Sequence, residues 1–378
     1  MDFSLTPEQE LLQSELDKSL ERLSPLARVR SQMDRPTEFP DDVWEGLRDL
    51  GIPGAVVPEE FGGLGLGVLD AALIAEKLGK HVVPAPFLGT TVLAPLAIAA
   101  GGSPQQKSSL LPQIAAGALR IGVGISERTA GRRADAGVHR REGRLHGRAI
   151  FVVDAVGAHV FLIADGENGL HLVQADAPGL DIVTLDSVDR TRTTAMLSFD
   201  GVEGEALAAP ADALPRMADA GRLVLAADML GAAWKMLDQA VEYAKIRHQF
   251  GRPIGSFQAV KHMCAEMAAE LEPGRALIWY AGYAVDKNLS DATLCCLHAK
   301  SYLADAARFV ARTATEVHGG MGITDELGLH LWLKRIAWDY QALGSPERLR
   351  EEAAAVQGVG PGRRVTRAET GMRTVIDP

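Results

Sequence analysis

The stretch LVLAADMLGAAWKMLDQAVEYA, residues 223–244, sets the architecture of the C-terminal part of the chain. Apolar residues recur in it at alternating spacings of four and three, at Leu223, Ala227, Leu230, Trp234, Leu237, Val241 and Ala244. This spacing is typical of a helix that buries one face in a bundle. At 1.5 Å per residue the helix reaches or exceeds ~35 Å, so it predicts a bundle of long helices.

Further helical patterns lie on both sides of this one. Toward the C-terminus the ranges 257–271, 275–286, 292–317 and 326–343 fit helices, which together predict a four-helix bundle. The tail after Gln357 is expected to be irregular. In the first 119 residues, Thr6-Pro7-Glu8-Gln9 forms a capping box, and the ranges 42–50, 69–79 and 105–115 predict more helices. Gly51 is expected to end the second of them in a left-handed conformation.

Between about residues 120 and 205 the pattern changes to short β-branched runs separated by turn residues. The runs are 149–153, 159–164, 170–173, 180–185 and 193–199. Their even spacing predicts a compact antiparallel barrel or sandwich and not βαβ units. We therefore predict an α+β, mostly α fold. Its expected parts are an N-terminal helical domain over 1–119, a small antiparallel β-barrel domain over 120–209, and a four-helix bundle with the irregular tail over 210–378.

The composition argues against several classes of function. The chain has 39 Lys and Arg against 49 Asp and Glu, which gives a net charge of −10 and no general attraction to nucleic acid. The longest apolar run, around 92–100, is about half of the ~20 residues that a membrane helix needs. Three cysteines without CxxC or HExxH spacing predict neither a disulfide framework nor a zinc site. The N-terminus lacks the features of a signal peptide, so we expect a cytoplasmic protein.

Glycine-rich segments are the first candidates for a binding site. No GxGxxG, GxxxxGK[ST] or GxSxG pattern is present, and Gly62–Gly67 reads better as a tight loop between helices. His318-Gly319-Gly320-Met321-Gly322 follows a long helix and would allow close approach of a diphosphate. Arg247-His248-Gln249-Phe250-Gly251 ends another helix. Each of the last two segments can also be explained structurally, as a helix cap or as a partner of the helix dipole.

Taken in order, these segments resemble the acyl-CoA dehydrogenase family. The likeness begins with Val57-Pro58-Glu59-Glu60-Phe61-Gly62-Gly63 and continues through Glu76-Lys77-Leu78-Gly79. It then includes Arg247-x-Gln249-Phe250-Gly251 with Phe257-Gln258, and His318-Gly319-Gly320-x-Gly322. The resemblance extends over about residues 3 to 350, and the family shares the order of helices, β unit and helices predicted above.

The resemblance implies FAD as cofactor and an acyl-CoA thioester as substrate. In the family's reaction a carboxylate removes the α-proton of the thioester while the β-hydrogen leaves as hydride to the flavin. The match assigns cofactor contacts to Arg247, Phe250, Gln258, Glu316, Gly319 and Gly320, commonly toward the flavin of a neighbouring subunit. Glu316 replaces the usual glutamine. Asp219 and Arg222 match positions that often touch the CoA arm.

The sequence departs from the family where the base is expected. The usual catalytic glutamate would fall at Leu343, and the alternative position on the long bundle helix is Gly221, before Arg222. Neither residue accepts a proton. The strand that usually presents a hydroxyl to the flavin carries Val153, although Ser126 still offers a hydroxyl nearby.

These departures favour one hypothesis over two alternatives. Bacterial relatives form α2β2 assemblies in which only one subunit type carries the carboxylate, and this sequence is similar to the partner without it. One alternative is a self-sufficient homo-oligomer whose base has moved to Asp339 or Glu347, although both are expected to be exposed helix charges. The other is a non-catalytic scaffold that binds acyl-CoA or a partner.

Overall fold

The computed structural model describes residues 4–129, 131, 133 and 135–359. Over these ranges the chain starts with helices, passes through one curled sheet and returns to helices. The predicted α+β, mostly α architecture is confirmed. The tail predicted to be irregular lies outside the described residues from position 360 onward.

The N-terminal part is helical, as predicted. Its helices are α1 (Pro7–Leu23), α2 (Leu26–Met33), α3 (Asp41–Asp49), α4 (Val68–Lys80), α5 (Ala94–Gly101) and α6 (Pro104–Ala115). The capping box is confirmed, because the Thr6 hydroxyl accepts from the Gln9 amide and Gln9 Oε1 accepts from the Thr6 amide. Gly51 has φ 73°, which confirms the left-handed turn after α3. α2 and the turns of helix from Phe87 to Gly101 were not predicted from the sequence.

In the described part of the chain, the central sheet has eight strands, with one single-turn helix, α7 (Ser126–Thr129), beside it. The strands are β1 (Ile121–Gly124), β2 (Gly137–Arg141), β3 (Arg144–Val153), β4 (Val160–Ala164), β5 (Leu170–Gln174), β6 (Leu180–Thr184), β7 (Thr194–Val202) and β8 (Glu205–Ala206). Their order is β6-β7-β3-β1-β4-β5-β8, and β2 pairs with β3.

One pair in this sheet departs from the predicted antiparallel arrangement. β1 and β4 run parallel, with Ile121 opposite Val160 and Gly124 opposite Ile163, whereas the other pairs are antiparallel. A parallel pair needs a long crossover connection. The β2–β3 hairpin lies between β1 and β4 in sequence and supplies that connection, so the prediction of antiparallel pairing throughout is wrong at this pair.

The C-terminal part contains the long helix expected from the apolar spacing. It is α8 (Pro210–Ile246), 37 residues long, and a two-stranded hairpin of β9 (His248–Gln249) and β10 (Arg252–Pro253) follows it. The later helices are α9 (Gln258–Asp286), α10 (Ala292–His318), α11 (His330–Gln341) and α12 (Pro346–Val356). Within the described ranges, no helix is both long enough and apolar enough to cross a membrane.

A single helix, α9, replaces the two helices predicted at 257–271 and 275–286. Pro273 lies inside α9 and removes one backbone hydrogen bond, which normally favours a break. The next residue, Gly274, lets Leu230 of α8 and Leu303 of α10 pack directly against the helix backbone. Burial against both neighbours offsets the lost bond. The helix predicted at 326–343 is shorter in the structure, where α11 spans His330–Gln341. A separate helix, α12, follows it after a turn.

Close contact between α4 and α8 joins the N-terminal helices to the bundle. A Cβ atom on Gly79 would overlap the backbone of Asp228, and one on Gly231 would overlap the carbonyl of Glu76. The two helix backbones therefore touch at both glycines. Asp286, the last residue of α9, adds a second connection, because its carboxylate accepts from the amides of Val68 and Leu69 at 2.7 and 3.1 Å.

We expect Gly231→Ala to destabilise the protein by about 1–3 kcal/mol, because the added methyl group has to separate two packed helix backbones. Urea unfolding measures this change. Gly320→Ala is the matched control, since a methyl group there meets no atom within 4 Å and should leave the midpoint unchanged. Equal midpoints for wild type and Gly231→Ala would contradict the described contact.

Candidate functional site

A cavity of about 330 Å³ lies between the central sheet and the turn that joins α11 to α12. Phe151, Val153 and Thr194 line it from the sheet, Ser126 lines it from α7, and Trp338 and Leu343 line it from the helical side. We call it the sheet–helix cavity. A larger, open cleft of about 880 Å³ lies between α6 and the edge of the sheet, but none of the predicted site residues lines it.

The turn that carries Leu343 has an unusual backbone. Leu343 has φ 55°, a left-handed conformation that costs a side chain with a Cβ about 1–2 kcal/mol, and Gly344 has φ 112°. Two cations hold the turn. Arg222 Nε donates to the Leu343 carbonyl at 3.3 Å, and Lys300 Nζ donates to the Gly344 carbonyl at 2.8 Å. These bonds fix the direction in which the Leu343 side chain points.

The two predicted base positions meet in the structure. A Cβ atom on Gly221 would lie 2.6 Å from Leu343 Cδ1 and 2.8 Å from Leu93 Cδ2. Leu343 therefore fills the space that the missing side chain at position 221 leaves, and only 5% of its surface is exposed. The structure brings both positions together as an apolar contact.

The two substitute carboxylates proposed from the sequence lie away from the cavity lining. Asp339 is completely buried behind the cavity, with Oδ1 3.7 Å from Arg192 Nη2. The expectation that it is an exposed helix charge is therefore wrong, because α11 packs that face against α8 and against Arg192 in the loop before β7. Glu347 is exposed, as expected, and accepts a long hydrogen bond of 3.4 Å from Tyr340.

One carboxylate that the sequence analysis did not single out does line the cavity. Asp186 follows β6, its side chain is 78% exposed, and it lies 3.5 Å from Arg190. Among the described lining residues it is the only acidic one. A carboxylate that is solvated by water and paired with an arginine is a weak general base.

Asp219 and Arg222, expected to touch CoA, are buried inside the bundle. Arg222 forms a bidentate pair with Glu352 at 3.0 and 2.7 Å. Asp219 accepts from the Thr293 hydroxyl at 2.6 Å, and burial raises the pKa of its carboxyl group. In this structure both side chains connect α8 to α10 and α12, and neither lines the sheet–helix cavity.

The remaining predicted cofactor residues lie together at the exposed end of the bundle. Tyr243 of α8 packs on His318 of α10 with ring centroids 4.7 Å apart, so the C-terminal ends of both helices are adjacent. We call the surface that they form with the β9–β10 hairpin the bundle-end surface. Its exposed predicted residues are Arg247, Phe250, Gln258, Glu316, Gly319 and Gly320.

The β9–β10 hairpin presents an aromatic ring on this surface. Phe250 and Gly251 have φ 53° and 78°, which is the pattern of a type I′ turn between Gln249 and Arg252. Phe250 is 91% exposed. On the neighbouring turn Gly319 has φ 57°, and a Cβ on Gly319 or Gly320 would meet no atom within 4 Å. The backbone there is open to close approach from outside the chain.

Ser126 lies in the cavity wall, but its hydroxyl hydrogen is used within the chain. Ser126 Oγ donates to the carbonyl of Ile150, and the Glu127 side chain accepts from the Ile150 amide at 2.9 Å. These contacts hold α7 on a bulge of β3. The next residue, Phe151, has φ 56°, and the Arg133 guanidinium lies 4.8 Å from its ring centroid. Ser126 keeps lone pairs with which to accept a hydrogen bond from a ligand.

Lys300 is a site residue that the sequence analysis missed. It is fully buried, and burial lowers the pKa of its amine to about 7, against the attraction of Asp339. The burial of Lys300 could have been predicted from its position in the sequence. Lys300 follows Cys296 by four residues and precedes Leu303 by three, so it stands on the apolar stripe of its helix, where lysine is rarely found.

Comparison with known proteins agrees with the fold and with the order of the motifs. A model of the acyl-CoA dehydrogenase N-terminal domain matches residues 6–118, and a model of the acyl-CoA dehydrogenase C-terminal domain matches residues 213–357. The acyl-CoA dehydrogenase IpdE2 of Mycolicibacterium smegmatis is 32% identical over 361 residues, which cover 93% of this chain and 100% of that protein.

Two solved structures, each named after a pair of proteins, are similar to this chain over almost its whole length. A variant of the Tcur3481-Tcur3483 steroid ACAD is 30% identical, with a TM-score of 0.84 over 93% of this chain and 98% of that one. The ChsE4-ChsE5 complex from Mycobacterium tuberculosis is 26% identical, with a TM-score of 0.87 over 96% and 100% of the two chains. The family models and the full-length similarity establish that this chain belongs to the acyl-CoA dehydrogenase family.

Proposed function

We propose that this chain is the base-lacking subunit of a heteromeric, FAD-dependent acyl-CoA dehydrogenase. The observation that carries the proposal is the contact between Leu343 and Gly221, the two positions where the family resemblance expects a glutamate. Neither residue accepts a proton, and Leu93 closes the contact from a third side. The α-proton of the thioester then has to move to a carboxylate on another chain.

The similar proteins support a paired assembly and a bulky substrate. Two of the solved structures are described by a pair of chain names, and one of them is called a steroid ACAD. We extend both properties to this chain as part of the proposal. The acyl group would then be large and apolar, and the partner would be a second, non-identical member of the same family.

The bundle-end surface fits the nucleotide part of an FAD molecule shared with such a partner. Arg247 supplies positive charge for the diphosphate, and the open backbone at Gly319 and Gly320 permits close approach. Glu316 would repel a phosphate but can accept a hydrogen bond from a ribose hydroxyl. When bound, FAD would supply the hydride acceptor for α,β-desaturation.

In this arrangement the residues of this chain bind, orient and exclude water. Arg222 and Lys300 hold the turn at Leu343, which keeps an apolar wall next to the sheet–helix cavity. An apolar wall strengthens electrostatic interactions at a neighbouring reaction centre because it removes water. The role predicted for Asp219 and Arg222 on the CoA arm stays a prediction.

The alternative of a self-sufficient enzyme has less support. Asp339 is buried behind the cavity and Glu347 is exposed outside it. Asp186 lines the cavity but is 78% exposed on the side chain and lies beside Arg190. None of the three has both the position and the partly desolvated environment that an effective base requires.

The proposal predicts that activity requires two different chains. Purified alone, this protein should show no desaturation of acyl-CoA; mixed or co-expressed with the family member encoded by a neighbouring gene, it should form a heteromer with flavin absorbance and turnover. Absorption spectra, native mass and initial rates measure this. Full activity of this chain as a homo-oligomer would contradict the proposal, and a colourless heteromer would favour the scaffold alternative.

Arg247→Ala should weaken FAD binding to the assembled enzyme by about tenfold or more, because a charge-assisted contact contributes about 1.5–3 kcal/mol. Arg141→Ala is the matched control, since Arg141 is an exposed arginine on β2 in the central sheet. Fluorescence titration of the apo-heteromer with FAD gives both dissociation constants. Equal dissociation constants for the two variants would show that Arg247 does not contact the diphosphate of FAD.

Leu343→Glu should introduce desaturation at this chain's own cavity, because it places a carboxylate at the family's base position, on a turn that Arg222 and Lys300 already hold in place. Leu343→Gln has nearly the same shape and no basic group, so it should remain inactive. The test compares initial rates of both variants in a heteromer whose partner base has been replaced. Equal rates would show that position 343 does not face the α-carbon.

A further inference from the structure

A cluster of buried charges lies behind the sheet–helix cavity. Each of its members is at most 5% exposed, and together they connect the loops after β3 and before β7 with α8 and α11. The members are Asp154, Asp189, Arg192, Asp228, Arg335 and Asp339. We call this set the junction cluster, because Arg335 also donates to the carbonyl of Val83 at 2.9 Å and so reaches the N-terminal helices.

Three carboxylates of the junction cluster have clear partners. Arg192 Nη2 donates to Asp228 Oδ2 at 2.6 Å, and Arg335 Nη1 lies 3.3 Å from the same oxygen. Arg335 Nε lies 2.9 Å from Asp189 Oδ2. The Asp154 carboxylate accepts from the Gly89 amide. These contacts give each guanidinium group a carboxylate partner other than Asp339.

Asp339 is the member without such a partner. Neither of its oxygens receives a hydrogen bond from the described residues, and the Arg192 Nη2 atom beside it is 3.7 Å away and already bound to Asp228. Within the same described ranges, Asp228 Oδ1 is also without a donor. The Asp228 and Asp339 carboxyl groups are hydrogen-bond neighbours, so two buried acceptors face each other with no hydrogen between them if both are ionised.

The charge balance of the junction cluster also indicates that one of its carboxyl groups is protonated. Four carboxyl groups face two guanidinium groups, which leaves an excess of two negative charges if every acid is ionised. Lys300 attracts Asp339 electrostatically but donates its hydrogen bond to the Gly344 carbonyl instead. Two like charges in a buried site cannot both persist without a compensating charge, and the usual outcome is that one group takes up a proton.

We propose that Asp339 is protonated in the folded protein, donates a hydrogen bond to Asp228, and in this neutral form positions the wall of the sheet–helix cavity. Asp339 influences the cavity wall through Arg192. The proton on Asp339 leaves Asp228 as the sole acceptor for Arg192, whose guanidinium then lies 5.5 Å from the ring centroid of Trp338, a lining residue of the cavity. Asp339 is thus a positioning residue, and this role does not depend on the proposed pairing of subunits.

The direction of the Asp339 pKa shift agrees with a protonated carboxyl group. Burial first, and then repulsion from Asp228, raise the pKa of Asp339 well above its usual range. Burial also raises the pKa of Asp154 to about 6. A raised carboxyl pKa means that the folded state binds the proton more strongly than the unfolded state, so stability falls as pH rises through the folded pKa. Lys300 acts in the opposite direction, because burial lowers the pKa of its amine to about 7.

The discriminating variant is Asp339→Asn, since an amide donates to Asp228 as a protonated carboxyl group does but cannot lose its proton. At pH 6 we expect Asp339→Asn to be at least as stable to urea as wild type, because the carboxyl group is already ionised in unfolded wild type at this pH, whereas the amide cannot ionise. Between pH 6 and 9 the midpoint of wild type should fall further than that of the variant. Asp339→Leu removes the donor and should lower the midpoint at every pH. Glu347→Gln, at an exposed position, should follow the wild-type pH profile.

Two spectroscopic readouts test the role beyond general stability. The infrared spectrum at neutral pH should contain a protonated-carboxyl band that Asp339→Asn lacks. Tryptophan emission should change with pH in folded wild type, and this change should be absent from both Asp339→Asn and Trp338→Phe. A marked loss of stability of Asp339→Asn at pH 6, or identical infrared spectra, would show that Asp339 is ionised and would overturn the proposal. A pH-dependent emission that persists in Asp339→Asn would overturn the link to Trp338.

Discussion

The contact between the backbones of α4 and α8 fixes the position of the long helix on which Gly221 and Arg222 lie and which ends at Arg247. Gly79 and Gly231 bring the two helices together without intervening side chains. This fixes one long helix, about 55 Å at 1.5 Å per residue, against the N-terminal part. Gly221 and Arg222 then lie beside the cavity, while Arg247 lies at the far end of the same helix. One rigid element thus separates the apolar contact at Gly221 from the exposed residues at the bundle end that are predicted to bind the cofactor.

Much of the fold could be predicted from the sequence because its strongest signals are periodic. The seam of α8, the capping box at Thr6 and the turn at Gly51 follow from local rules, and the structure confirms them. The elements that were missed have weak local signals. β1 contains two glycines in four residues, and α9 continues through Pro273 because packing on both sides outweighs a local preference.

The candidate site was only partly predictable, for a different reason. Short motifs identified the exposed residues of the bundle end, and the family resemblance identified Leu343 and Gly221 as base positions. Their direct contact depends on tertiary packing. The burial of Asp339 could not be predicted either, since a single aspartate on a helix is normally exposed. Its environment comes from Arg192 and Asp228, which are more than a hundred residues away in sequence.

The packing of Leu343 into the space above Gly221 also has an evolutionary consequence. A side chain absent from one helix is replaced by a side chain from a distant turn, so the two positions form a single complementary unit. A mutation that adds a bulky group at 221 collides with Leu343 unless that residue becomes smaller first. The order of substitutions therefore matters. A lineage that has reached this pair of residues regains an acid more easily at the turn than on the helix, because a new side chain at 343 meets no bulky group at 221.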